Sequence, residues 1–163
     1  MKKTAQLKSW ILLIAVITLS ACGGGGGATT QPATATVKLS FSGATSLYGI
    51  DATVALPAGV TLRSTTNPPQ TDSGVVLASG ATITNTLVAA VYTAATSSSA
   101  ATARIMLVNA NGFSAGEFCT VNADIAAGYT PNASDFSITN FAASDRDGNV
   151  LSGLTPSYTA AVQ

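Results

Sequence analysis

TVKLSFSG, Thr36 to Gly43, is the stretch that decides the fold class. Val37, Leu39 and Phe41 alternate with Lys38 and Ser40, the period of two that appears when a strand buries one face and wets the other. LYGIDATVALPAGV, Leu47 to Val60, repeats the alternation, which predicts Tyr48, Ile50, Ala52, Val54 and Leu56 on one face and a turn at Pro57 to Gly59. Further strands are expected in GVVLA, TLVAAVYTA, ARIMLVNA, GEFCTVNADI, DFSITNFAA and LTPSYTAAV, with separators rich in Gly, Asn, Ser and Pro. Many short strands at this spacing, and no helical period beyond the N-terminus, predict an all-β sandwich or jelly roll.

The composition agrees. A chain of 163 residues has room for one ordinary domain with a single core. Only 9% of it is charged, while Ala, Thr, Ser and Gly abound, which suits a small-residue extracellular β module better than a cytoplasmic enzyme. The formal charge is zero, but Lys2, Lys3 and Lys8 all fall in the first nine residues. Without them Lys38, Arg63, Arg104 and Arg146 face seven acids, a net charge of −3. Such a body is a poor partner for a phosphate backbone, so nucleic acid is excluded as a ligand.

The N-terminus carries an address. MKKTAQLKSW is a positive n-region, and ILLIAVITL is an apolar run shorter than the roughly 20 residues that cross a hydrocarbon layer. Together they read as a signal peptide over residues 1–21. LSAC, Leu19 to Cys22, has the form of a bacterial lipobox, which implies cleavage between Ala21 and Cys22, a diacylated Cys22 sulfur and an acylated new amino group. Several chains on one residue hold stably, since each buried methylene contributes about 0.8 kcal/mol and a single chain is marginal. GGGGGATTQPATAT, Gly23 to Thr36, has no apolar period and is expected to act with Cys22 as a linker over residues 22–36, averaging roughly 20 Å end to end. Gly23, where Asp would resemble an inner-membrane retention signal, points to the outer membrane of a Gram-negative envelope. The folded body is then expected over residues 37–163.

Inventory argues against catalysis. There is no His, Glu117 is the sole Glu, and with Cys22 lipidated Cys119 has no partner in the chain. Nucleophilic triads, histidine acid–base chemistry and four-ligand zinc sites are out of reach. In EFCTVNADI, Cys119, Val121, Ala123 and Ile125 are expected on one face, begun by Glu117, with Cys119 as a small buried hydrophobe. Asp51, Asp72, Asp124, Asp135, Asp145 and Asp147 are expected at outward strand positions or in turns.

Two features remain as site candidates. In SDRDGNVLSG, Asp145, Asp147 and Asn149 offer oxygen ligands to Ca2+ and Gly148 permits the turn. The same DG pair between apolar segments is also the mark of a tight hairpin turn, and the twelve-residue loop closed by Glu is missing. Tyr129, in AAGYTP, is the tyrosine to test for stacking on a sugar ring, with packing over the sandwich rim as the other reading. Trp10, the one Trp, belongs to the signal peptide, and Tyr48 and Tyr158 fall in strand patterns that suggest partial burial.

ARIMLVNANGFSAGEFCTVNADIAAGYTPNASDFSI resembles the cohesin-type β-sandwich, a family related in fold to cellulose-binding modules. The likeness lies in a strand ending near Asn109, a GF turn at Gly112 and Phe113, GEFCTVNADI at Gly116 to Ile125 and PNASDFSI at Pro131 to Ile138. Upstream, GIDATVALPAGV at Gly49 to Val60 looks like the family's early strand and turn. The resemblance implies a jelly roll of about nine strands that binds a dockerin-like protein on a sheet face, the calcium residing in the dockerin. It implies no contact residues here. The expectation is a non-catalytic module, lipid-anchored at the cell envelope, that binds a protein partner or, alternatively, polysaccharide, or acts as a structural envelope lipoprotein.

Mass spectrometry of the purified protein should find acyl chains on Cys22, and Cys22→Ala should move the chain from the membrane to the soluble fraction. An unmodified Cys22 sulfur would remove the anchor.

Overall fold

β1 (Ala33–Ser42) lies inside a sheet, flanked by β7 (Gly116–Ile125) on one side and β9 (Thr155–Val162) on the other, both antiparallel. Its alternation explains the place: Ala35, Val37, Leu39 and Phe41 are buried, and Thr36, Lys38 and Ser40 point the other way. Two short strands, β3 (Val60–Thr61) and β4 (Val76–Ala78), share the outer edge of β7. The second sheet runs in the order β5 (Thr86–Thr93), β6 (Ala101–Phe113), β2 (Leu47–Leu56), β8 (Ser137–Ser144), again antiparallel throughout. Only the links from β3 to β4 and from β5 to β6 stay within one sheet; the rest cross to the other. The computed structural model describes residues 33–43, 46–66, 69–80 and 83–163, and over them the chain is an all-β sandwich of two antiparallel sheets. The signal peptide, Cys22 and most of the expected linker lie outside the described residues.

The core lies between the sheets and is assembled from alternate residues of both. Val37, Leu39 and Val121 meet Ile50, Val54, Ile105 and Leu107 in one buried cluster. Phe41 and Phe118 from the first sheet and Phe141 from β8 form a tilted trio with ring centroids 6.0–6.5 Å apart. Each such pair adds about 0.5–1.5 kcal/mol beyond the area it buries. Tyr158 on β9 donates its hydroxyl to the carbonyl of Phe136, just after a short 3-10 turn at Ala133–Asp135, and so ties the edge of one sheet to the approach to β8.

Several expectations shift by a residue or more, each through a pairing that one strand alone does not reveal. β1 begins at Ala33, inside the expected linker, because Ala33 and Ala35 pair with Ile125 and Ala123 of β7 and Ala35 is buried. Tyr48 does not share the inner face with Ile50: an irregularity against β6 between Leu47 and Gly49 turns Leu47 inward and leaves Tyr48 part-exposed. Glu117 likewise leaves the face of Cys119. A bulge opposite Leu39 and Ser40 buries Phe118 beside Cys119, and Glu117 turns outward to Lys38, 3.2 Å away. The GF pair at Gly112 and Phe113 ends β6 rather than forming a turn, with Phe113 buried.

Phe118→Ala removes a ring with no exposure from the centre of this core. Urea denaturation should show a loss of about 3–5 kcal/mol. A loss below 1 kcal/mol would mean that the trio does not hold the sheets together.

Candidate functional site

The two outer faces of the sandwich differ in chemistry. On the first sheet, β1 presents Thr34, Thr36, Lys38, Ser40 and Ser42, β9 presents Thr155, Ser157 and Thr159, and β7 presents Thr120, Asn122 and Asp124. Lys38 pairs with Glu117 across the strands, and Arg63 pairs with Asp124 at 3.6 Å. This face is polar over β1, β7 and β9, and at its edge β4 adds Leu77, aligned with Thr120 and 46% exposed.

The outer face of the second sheet carries an apolar row. Register aligns Leu87 of β5 with Val108 of β6, Val108 with Gly49 of β2, and Gly49 with Ser144 of β8; Ser144 in turn bridges to Val150. Leu87 is 77% exposed, Val108 56% and Val150 79%. Gly49 leaves a shallow groove of about 190 Å3 between Val108 and Val150, and a Cβ there would lie 2.6 Å from the Ser144 Oγ, so a side chain would displace that hydroxyl. Around the edge of β5 the apolar surface continues into a larger groove of about 510 Å3, where the exposed Leu77 and Ile83 meet Leu87 and Val88. Monomeric proteins seldom leave aliphatic side chains contiguous on a surface unless the surface has a partner.

Below the row sits one fixed charge pair. Arg104 donates from Nε to Oδ1 of Asp51 at 3.1 Å and from Nη2 to Oδ2 at 2.6 Å. The hydrogen-bonded Asp51 carboxylate raises the Arg104 pKa above its ordinary value. Two parallel bonds hold both side chains in one orientation, so a charged patch of known geometry adjoins the apolar row.

The site residues expected from sequence fall elsewhere. Asp145 and Asn149 do come together, but as a turn: the Asp145 carboxylate accepts from Asn149 Nδ2 at 2.9 Å and from the backbone N–H groups of Asn149 and Asp147 at 2.8 and 2.9 Å. These bonds, the Asn149 side chain first, hold the Asp145 carboxyl below its usual range. Asp147 contributes its N–H to this turn, and Gly148 takes the left-handed φ of +86° that the turn requires. Among the described residues no three His, Cys, Asp or Glu side chains gather as a metal site would need. Tyr129 lies over the turn that joins β2 to β3, its ring against Gly59, and is half exposed. The row itself had no signal in any single segment, because its members come from four strands and a loop.

Cys119 has no exposed surface, and burial pushes its thiol up to about 12. Glu117 is held below its usual range. The Ser79 hydroxyl is the first cause, lying against it outside ordinary hydrogen-bond geometry, and Lys38 and Thr120 add to it. A thiol reagent at pH 8 should therefore leave Cys119 untouched in the folded protein and modify it only as the chain unfolds. Because the folded value lies above the ordinary 9.0, the unfolded thiol loses its proton first as the pH rises. The unfolded state then holds fewer protons, so stability should decline above pH 9, and Cys119→Ala should flatten that decline. Rapid labelling of the folded chain at pH 8 would contradict the burial.

Among the described residues no helix is long and apolar enough to cross a membrane. In comparison with known proteins, the chain matches no family model, no curated protein and no solved structure.

Proposed function

We propose that this chain is a non-catalytic binding module, lipid-anchored through Cys22 at the cell envelope on the outer membrane, that recognises a protein partner on the outer face of its β5-β6-β2-β8 sheet. The single observation that carries the reading is the row of Leu87, Val108 and Val150 on that face, whereas the outer face of the other sheet exposes Leu77 at its edge among otherwise mostly polar side chains. Fully burying a side chain of this size contributes about 1.5–3 kcal/mol, so three together supply enough for a specific contact. An exposed ion pair such as Arg104–Asp51 contributes about 0–1 kcal/mol and serves instead to orient the partner.

The cohesin-type resemblance suggests a dockerin-like partner, and two antiparallel sheets are in keeping with it. A non-catalytic role is supported by the state of the carboxylates: Asp51, Glu117 and Asp124 are engaged in ion pairs and Asp145 in its turn. A sheet face meeting a protein also accounts for Gly49, since a side chain there would fill the groove between Val108 and Val150.

A photocrosslinking residue placed at Val108 in living cells should capture one defined protein, and the same residue at Thr159 on the polar face should capture none. Leu87→Asp together with Val108→Asp should lower the affinity for that protein by tenfold or more, about 1.4 kcal/mol, while Ser40→Asp leaves it unchanged. Equal capture from both faces would refute the assignment.

A further inference from the structure

The strands sort the sandwich into two unlike ends. Ala33, where the chain begins β1, pairs with Ile125, and the neighbouring Thr34 exchanges backbone hydrogen bonds with Gln163 at 3.0 and 2.9 Å. In the other sheet Leu56 pairs with Ala101 and Ala55 with Ser137 at this same end. The loops that close it are residues 57–59, 94–100 and 126–136, and Asp135 is the one charged residue in them. Its carboxylate is occupied, accepting the N–H of Asn132 at 2.7 Å. The opposite end carries Asp145, Arg146 and Asp147.

Tyr129 stands at the Ala33 end on a rigid support. A Cβ on Gly59 would lie 2.1 Å from the Tyr129 Cγ, and Gly59 holds a φ of +79°, so ring and turn fit only because that residue is glycine. One side of the ring is thereby covered, and half of the residue stays exposed. An aromatic ring bearing a hydroxyl partitions to the boundary between lipid headgroups and acyl chains. Apart from Asp135, whose carboxylate is held by the Asn132 N–H, these loops bring no ion to that boundary.

We propose that this end of the sandwich rests on the lipid surface, with the exposed side of Tyr129 in the headgroup interface. The proposal rests on the lipid-anchor reading above. Ten residues lie between Cys22 and Ala33, which limits the span to about 40 Å and keeps the Ala33 end within reach of the bilayer. A contact there orients the body and turns the charged end, with the apolar row beside it, away from the membrane. The chemistry recognised is the interface of a phospholipid bilayer, not a glycan.

The test uses the full-length protein purified from bacterial membranes and reconstituted into phosphatidylethanolamine–phosphatidylglycerol vesicles with brominated acyl chains. Since Trp10 leaves with the signal peptide, Tyr129→Trp and Val150→Trp each supply a single reporter. Trp at 129 should lose about half its emission to the brominated lipid and shift to the blue, and Trp at 150 should do neither. Circular dichroism checks each fold. Should Tyr129→Trp fail to fold, a fluorophore on Ala95→Cys, in the neighbouring 94–100 loop, replaces it, since Cys119 is buried. A chain that floats with the vesicles but shows no quenching at 129 or 95, or equal quenching at 150, overturns the proposal and leaves the anchor intact. Retention of the protein on insoluble polysaccharide, lost in Tyr129→Ala, overturns it in favour of a sugar site. A wild-type chain that does not float with vesicles overturns the anchor and the proposal together.

Discussion

Burial of alternate side chains between two sheets is the constraint on which the rest of this structure depends. Cys119 is free and buried, so among the described residues no covalent bridge links the sheets. The sandwich is held by packing and by its backbone ladders. That has a consequence for the outside of the molecule. Side chains at the alternate, outward positions have no part in holding the sheets together, so their chemistry is free to differ between faces. One face is mostly Ser, Thr and paired charges with Leu77 at its edge, while the other keeps a row of exposed Leu and Val.

The exposed row carries a cost as well as a use. β5 is a sheet-edge strand of eight residues, TLVAAVYT, with neither charge nor proline to discourage pairing with another chain. The fold blunts the edge in part, since the N–H of Thr71 donates to the carbonyl of Ala90 at 3.0 Å and lays the preceding loop against the strand. Leu87 lies three residues from that cover and stays open. Retaining an aliphatic residue at an uncovered edge makes sense when a partner covers it.

How much of this was legible in the sequence depends on whether a feature is local. β7 matches GEFCTVNADI end to end, and β1 announces itself in Val37, Leu39 and Phe41, because strand burial repeats every second residue and needs no knowledge of neighbours. The bulges at Leu47–Gly49 and at Phe118 were not legible. Each arises where one strand sets an extra residue against its partner, so strict alternation puts Tyr48 and Glu117 on the wrong face. β3, at two residues, is too short to show a period. The turn at Asp145 was readable in outline from its DG pair, though which atoms its carboxylate would bind was not. The apolar row was invisible, since Val108 and Val150 stand 42 positions apart in the chain and meet only through the order β6-β2-β8.

Direction of travel along β1 then accounts for where the row lies. The chain starts β1 at Ala33 and runs ten residues, about 34 Å, before crossing to the other sheet. β2 therefore begins at the far end, and Gly49, two residues into it, is fixed there with its partners Val108 and Ser144. β8 reaches the same end at Ser144, which places the Asp145 turn and Val150 beside them. An antiparallel sandwich entered from one end thus carries its apolar row to the other without any further device. On the proposed tethering through Cys22, this sets the proposed partner surface and the proposed lipid contact apart by the full length of a strand.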